Sequence, residues 1–85
     1  MEIREQFGRI LRKQRLDKGL TQEELAFRAG MSVPYLSDLE RGKWNPSLAV
    51  IIDLARGLDI HPVELFKELT ITPDSEPPSR RRPEE

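Results

Sequence analysis

The sequence has no cysteine and a single histidine. That excludes disulfides and thiolate metal sites, and one imidazole is too little for a zinc centre or a nucleophilic relay. No metal and no cofactor are therefore expected. Enzyme activity is not expected either, because the acidic residues are scattered and neither a nucleophile–base pair nor a phosphate loop is present. Long apolar runs are missing too: none approaches the roughly 18 residues of a membrane span. MEIREQFGRI lacks the apolar stretch of a secretory signal, so a cytoplasmic protein without a membrane partner is expected. Charge of one sign is not in excess, since the net charge is −1. A simple attraction of a basic protein to nucleic acid is thereby ruled out as an argument.

The 85 residues suffice for one domain with a modest core, which a partner subunit would help to stabilise. Charge is unevenly spread. Residues 1–43 carry nine basic and seven acidic side chains, residues 44–69 two and four, and residues 70–85 three and four. The first half is the more positive, by a small margin.

Apolar spacing is helical throughout, and no strand is expected. Ile3, Phe7, Ile10 and Leu11, followed by Gln14, share a helix face that stops at Lys18-Gly19, with Leu20 placed to pack back on that end. Thr21-Gln22-Glu23-Glu24 has the form of a capping box, opening a short helix with Leu25, Ala26 and Ala29 that ends at Gly30. Ser32 followed by Pro34 opens a third helix, with Leu36 and Leu39 inward and a stop at Arg41-Gly42. After the loop Lys43-Trp44-Asn45-Pro46, Ser47 caps a fourth helix expected to bury Leu48, Ile51, Ile52 and Ala55. His61-Pro62 opens an expected fifth helix to Leu69, carrying Val63, Leu65, Phe66 and Leu69. Residues 72–85, TPDSEPPSRRRPEE, are proline-rich and charged without aromatics, the composition of a disordered tail. The domain is therefore 1–71. The Arg80–Arg82 run is partly offset by Glu84 and Glu85 and is expected to be inert.

Two short helices joined by a glycine turn, Thr21–Ala29 and Ser32–Arg41, have helix-turn-helix spacing. The same spacing occurs in ordinary helical corners and in protein-contact modules, so by itself it leaves the function open. The residues go further. Phe7-Gly8, Arg12, Arg15, the run Lys18-Gly19-Leu20-Thr21-Gln22-Glu23-Glu24-Leu25-Ala26, Ala29-Gly30, the run Tyr35 to Lys43, Asn45-Pro46-Ser47-Leu48, Leu54 to Leu58 and His61 to Phe66 resemble the Cro/phage-repressor helix-turn-helix family over residues 7–69.

That resemblance implies an all-α, compact five-helix bundle containing a helix-turn-helix, the lambda-repressor-like DNA-binding domain. It further implies a homodimer reading double-stranded DNA at a two-fold symmetric operator, its recognition helices about 34 Å apart. The expected function is sequence-specific transcriptional regulation, with repression as the leading form. Position by position, the resemblance implies that Val33, Pro34, Ser37 and Asp38 face base edges. Gln22, Tyr35, Arg41, Lys43, Trp44 and Asn45 would meet the sugar-phosphate backbone. Trp44 reads equally as a half-buried lid on the core. Arg28 and Lys13 read as solvated charges.

The leading positions of the third helix depart from the family's usual glutamine, arginine or lysine. Val33 and Pro34 offer only apolar contact, and Asp38 would accept from a cytosine amino group. DNA shape or flanking contacts then carry more of the specificity. Gln14 stands where the family usually buries leucine, Asp59 where it often has glycine, and His61 replaces a serine or aspartate cap. The resemblance implies a structural ion pair between Arg15 and Glu40. Phe66, Leu69 and Ile71, with no evident intrachain partner, are expected to form the dimer interface. No small-molecule ligand is evident. The competing readings are an antitoxin, a restriction-modification controller on the same fold, and a coactivator-like protein-interaction module.

Overall fold

The computed structural model describes residues 2–71, so the expected tail at 72–85 and its Arg80–Arg82 run lie outside the described residues. Four α-helices follow one another: α1 (Ile3–Asp17), α2 (Gln22–Ala29), α3 (Val33–Glu40) and α4 (Leu48–Leu58). No strand occurs among the described residues. No described helix is long and apolar enough to cross a membrane.

Local chemistry sets the helix starts. Thr21 Oγ1 accepts from the Glu24 amide at 3.0 Å while the Glu24 carboxylate accepts from the Thr21 amide at 2.8 Å, a complete capping box. Ser32 and Ser47 cap α3 and α4 by accepting from the amides of Tyr35 and Val50, each at 3.2 Å. The ends share one motif. The second residue past α2 and α4, and the third past α1 and α3, returns its amide to a carbonyl five residues back, in the pairs Leu20–Arg15, Met31–Ala26, Lys43–Asp38 and Ile60–Ala55 at 3.0–3.1 Å. The residue just before it is left-handed at all four ends. At Gly30, φ is +73°, which the tight α2–α3 turn requires and a side chain would resist. At the end of α4 it is Asp59, φ 57°, the one described non-glycine residue with positive φ.

The core is aliphatic. Leu11, Leu25, Leu36, Leu39, Leu54, Leu58 and Leu65 are its fully buried large side chains, joined by Phe7, Ile10, Leu20 and three alanines. Helix α2 packs chiefly on α4 and α1 on α3. The close approach of α1 to α3 depends on Gly8, where a Cβ would lie 2.5 Å from the Glu40 carbonyl oxygen and 2.6 Å from that of Leu39.

Two expectations fail here. The fifth helix is absent: Pro62–Leu65 is a single 3-10 turn, capped by His61 Nδ1 accepting from the Val63 amide at 3.1 Å, and irregular turns follow. The bundle thus has four helices, and the reason is tertiary. Leu65 is fully buried, the Phe66 ring lies against Phe7 with centroids 6.3 Å apart, and the chain then bends back along α1. There Gln6 clasps Thr70 at both backbone groups, donating to its carbonyl at 3.1 Å and accepting from its amide at 2.8 Å. A straight helix to Leu69 would forgo those contacts.

The buried face of α4 also differs from expectation. Leu54, Ala55 and Leu58 enter the core, Ile51 is only partly buried, and Leu48 is 73% exposed. Ile52 is half-buried. In LAVIIDLARGL, Asp53 and Arg56 mark a polar face and Ile51, Leu54, Ala55 and Leu58 follow the opposite one; contact with α2 buries the later part of that face and leaves Leu48, at its start, outside.

Candidate nucleic-acid interface

The structure brings the base-reading and backbone-contact candidates around α3 and the loop after it. Pro34 is exposed, and Ser37 and Asp38 are half-buried. Val33 is partly buried and packs on the core, which reduces what it can offer a base. Pro34, Tyr35, Asp38 and Trp44 line an open groove. Tyr35 also packs on the core, while Trp44 is 43% exposed and is not one of the side chains packed there. The tryptophan therefore walls the groove instead of covering the core. Asn45 sits half-buried beside it in sequence, in the loop between α3 and α4.

The Asp38 carboxylate organises this face. Arg41 Nη2 donates to Oδ1 at 2.8 Å, Trp44 Nε1 donates to Oδ2 at 3.4 Å, and Lys43 Nζ stands 3.8 Å from Oδ1. The Arg41 hydrogen bond holds this carboxyl below the usual carboxylate range, against some desolvation, and Trp44 and Lys43 add to the effect. Sequence spacing did not signal this cluster. The i, i+3 relation of Asp38 to Arg41 is legible, but the return of Trp44 is a property of the loop.

Behind α3 lies the ion pair of Arg15 and Glu40, both buried. Arg15 Nε and Nη2 donate to the two Glu40 oxygens at 2.6 and 3.0 Å, and its Nη1 donates to the Leu20 carbonyl at 2.8 Å. The planar guanidinium thus fastens the α1–α2 turn to the end of α3. Gln22 joins this network through its amide nitrogen, 3.1 Å from Glu40 Oε1. One of its two N–H donors is consequently committed inward. Glu23 and Glu24 occupy the first turn of α2, where they complement the helix dipole but oppose an incoming anion.

In the last described segment, which lies on the start of α1, the premise for the dimer candidates changes. Phe66 has Phe7 as a ring partner and Leu69 packs on the core, so both have intrachain contacts. Ile71 remains 78% exposed, Val63 48% and Phe66 38%. The sequence reading also missed Phe27, 87% exposed on the side of α2 away from Leu25, Ala26 and Ala29. Its place off that helix face was the available signal. No group of residues suited to a metal ion occurs among the described residues.

Comparison with known proteins agrees with this architecture. A helix-turn-helix family model matches residues 11–65. The HTH-type transcriptional regulator y4dJ of Sinorhizobium fredii is 42% identical over 78 residues, covering 92% of this chain and 95% of that protein. Control protein C.BamHI of Bacillus amyloliquefaciens is 40% identical over 70 residues, 81% of this chain and 86% of that one. The crystal structure of the restriction-modification controller C.AhdI from Aeromonas hydrophila superposes with a TM-score of 0.73 at 49% identity, covering 74% of this chain and 96% of that one. The chain belongs to the Cro/phage-repressor type of helix-turn-helix DNA-binding regulators.

Proposed function

We propose that this chain is a transcriptional regulator, acting chiefly as a repressor, that binds a two-fold symmetric double-stranded operator as a homodimer. The observation that carries the reading is the outer face of α3. Pro34, Ser37 and Asp38 point away from the core there, with Arg41, Lys43 and Trp44 gathered at one edge. Short polar and apolar groups on such a face suit base edges, and a rim of cations suits phosphates. Gln22 serves a phosphate through its remaining N–H. The acidic first turn of α2 puts that role on the side chain and not on the helix dipole. Tyr35 and Asn45 complete the backbone contacts. Few bidentate readers are present, so groove shape carries part of the specificity.

Dimerisation is assigned to the last described segment, where Phe66 and Ile71 keep exposed apolar surface beside the anchored Leu69. Selection of bound duplexes from a random pool, at two salt concentrations, tests the whole reading. Enrichment of a two-fold symmetric site, with affinity falling steeply as salt rises, is the expected result. No enrichment by folded protein would leave a protein-interaction module as the better reading.

The likeness to C.BamHI and C.AhdI favours one narrower role, that of a restriction-modification controller. Its mark would be a selected site lying ahead of an adjacent restriction gene, and a site elsewhere would remove it.

A further inference from the structure

Three donors that the DNA-binding reading needs for phosphates are already engaged in the free protein. Arg41, Trp44 and Lys43 all converge on the Asp38 carboxylate, at 2.8, 3.4 and 3.8 Å. The donors themselves stay accessible, with the Arg41 and Lys43 side chains 65% and 60% exposed against 25% for Asp38. An acid at the middle of a basic rim weakens attraction to any duplex. A chain whose net charge is −1 has no overall excess of positive charge to make up the loss.

We infer that Asp38 is a specificity-determining counter-ion, which suppresses binding to DNA of arbitrary sequence and is relieved only at the right base. The inference rests on the DNA-binding reading above. When Arg41, Lys43 and Trp44 turn to phosphates, the carboxylate loses its three partners and faces the major groove. Cytosine N4 or adenine N6 can donate to it there. Guanine O6 and N7 or thymine O4 present only acceptors, leaving a desolvated anion against lone pairs. Asp38 therefore contributes to specificity mainly by penalising wrong sequences, and the same penalty keeps sequence-independent affinity low.

The isosteric variant Asp38→Asn tests this, with Asp38→Ala as a second form and circular dichroism as the check on folding. The probes are the duplex selected by the wild type and a scrambled duplex of equal length, measured by fluorescence anisotropy at two salt concentrations. Asp38→Asn should bind the scrambled duplex about 3- to 10-fold more tightly than wild type, with a salt slope steeper by about one phosphate contact. Its preference for the selected duplex should fall, with base identity relaxed at one symmetric pair of positions. Scrambled-duplex affinity that is equal or lower in both variants overturns the counter-ion role while leaving DNA binding standing. Failure of the folded wild type to select any duplex overturns both.

Discussion

Replacing Glu40 by alanine removes at once the acceptor for Arg15 Nε, Arg15 Nη2 and Gln22 Nε2. Arg15 is 7% exposed, so its guanidinium would stay buried with only the Leu20 carbonyl as partner. Breaking a buried pair from one side costs about 3–5 kcal/mol, because the remaining charge is uncompensated. A domain of this size loses about 4–8 °C of melting temperature per kcal/mol, so the drop should exceed about 12 °C. Since total stability of small domains begins near about 5 kcal/mol, part of the variant population should be unfolded at 25 °C.

Thermal denaturation followed by circular dichroism reads this directly. A companion, Arg15→Met with Glu40→Met, removes both charges and should recover most of the loss. Recovery will be partial, since the Leu20 carbonyl and the Gln22 amide each lose a partner. A Glu40→Ala protein melting within about 3 °C of wild type would refute the reasoning, because less than about 1 kcal/mol would then rest on this pair.

Gly8→Ala should destabilise the fold by about 1–3 kcal/mol in urea titration, despite the better helix propensity of alanine. The added Cβ would meet the Leu39 and Glu40 carbonyl oxygens, which are backbone and cannot step aside. An unchanged urea midpoint would show that α1 and α3 do not approach as described. Asp59→Gly, at φ 57°, should raise stability by about 0.5–1 kcal/mol by relieving a left-handed residue; a lower melting temperature would contradict this. Glu24 lies below the usual carboxylate range because it accepts from the Thr21 backbone amide, helped by the bond with the Thr21 side chain. With its folded value depressed, its contribution is present above the unfolded value and lost as pH falls through the folded one. Glu24→Gln should thus melt below wild type near neutral pH, with the gap closing on acidification. Parallel melting curves across that range would count against the capping box as an ionised one.

Much of the fold was legible because it is set by interactions between near neighbours. The Thr21–Glu24 box, the serine caps and the left-handed stops each involve residues within about one turn of one another. Their spacing is written directly in the sequence, and the helix-turn-helix follows from two such helices around Gly30. The family resemblance supplied the Arg15–Glu40 pair, which no local rule links across 25 positions.

What only tertiary structure decided are the choices among locally equivalent options. On α4 the apolar side runs from Leu48 to Leu58, and packing on α2 chose its later part, Leu54, Ala55 and Leu58, over Leu48 at its start. After Pro62 the apolar spacing suits a helix, yet Phe7 and the Gln6 clasp on Thr70 draw the chain back before one can form. At the interface, the sequence marks Asp38, Arg41, Lys43 and Trp44 as polar or aromatic groups on one stretch. Their convergence on a single carboxylate needs the loop after α3 to return against that helix, and a loop's path is settled by the packing of the helices it joins.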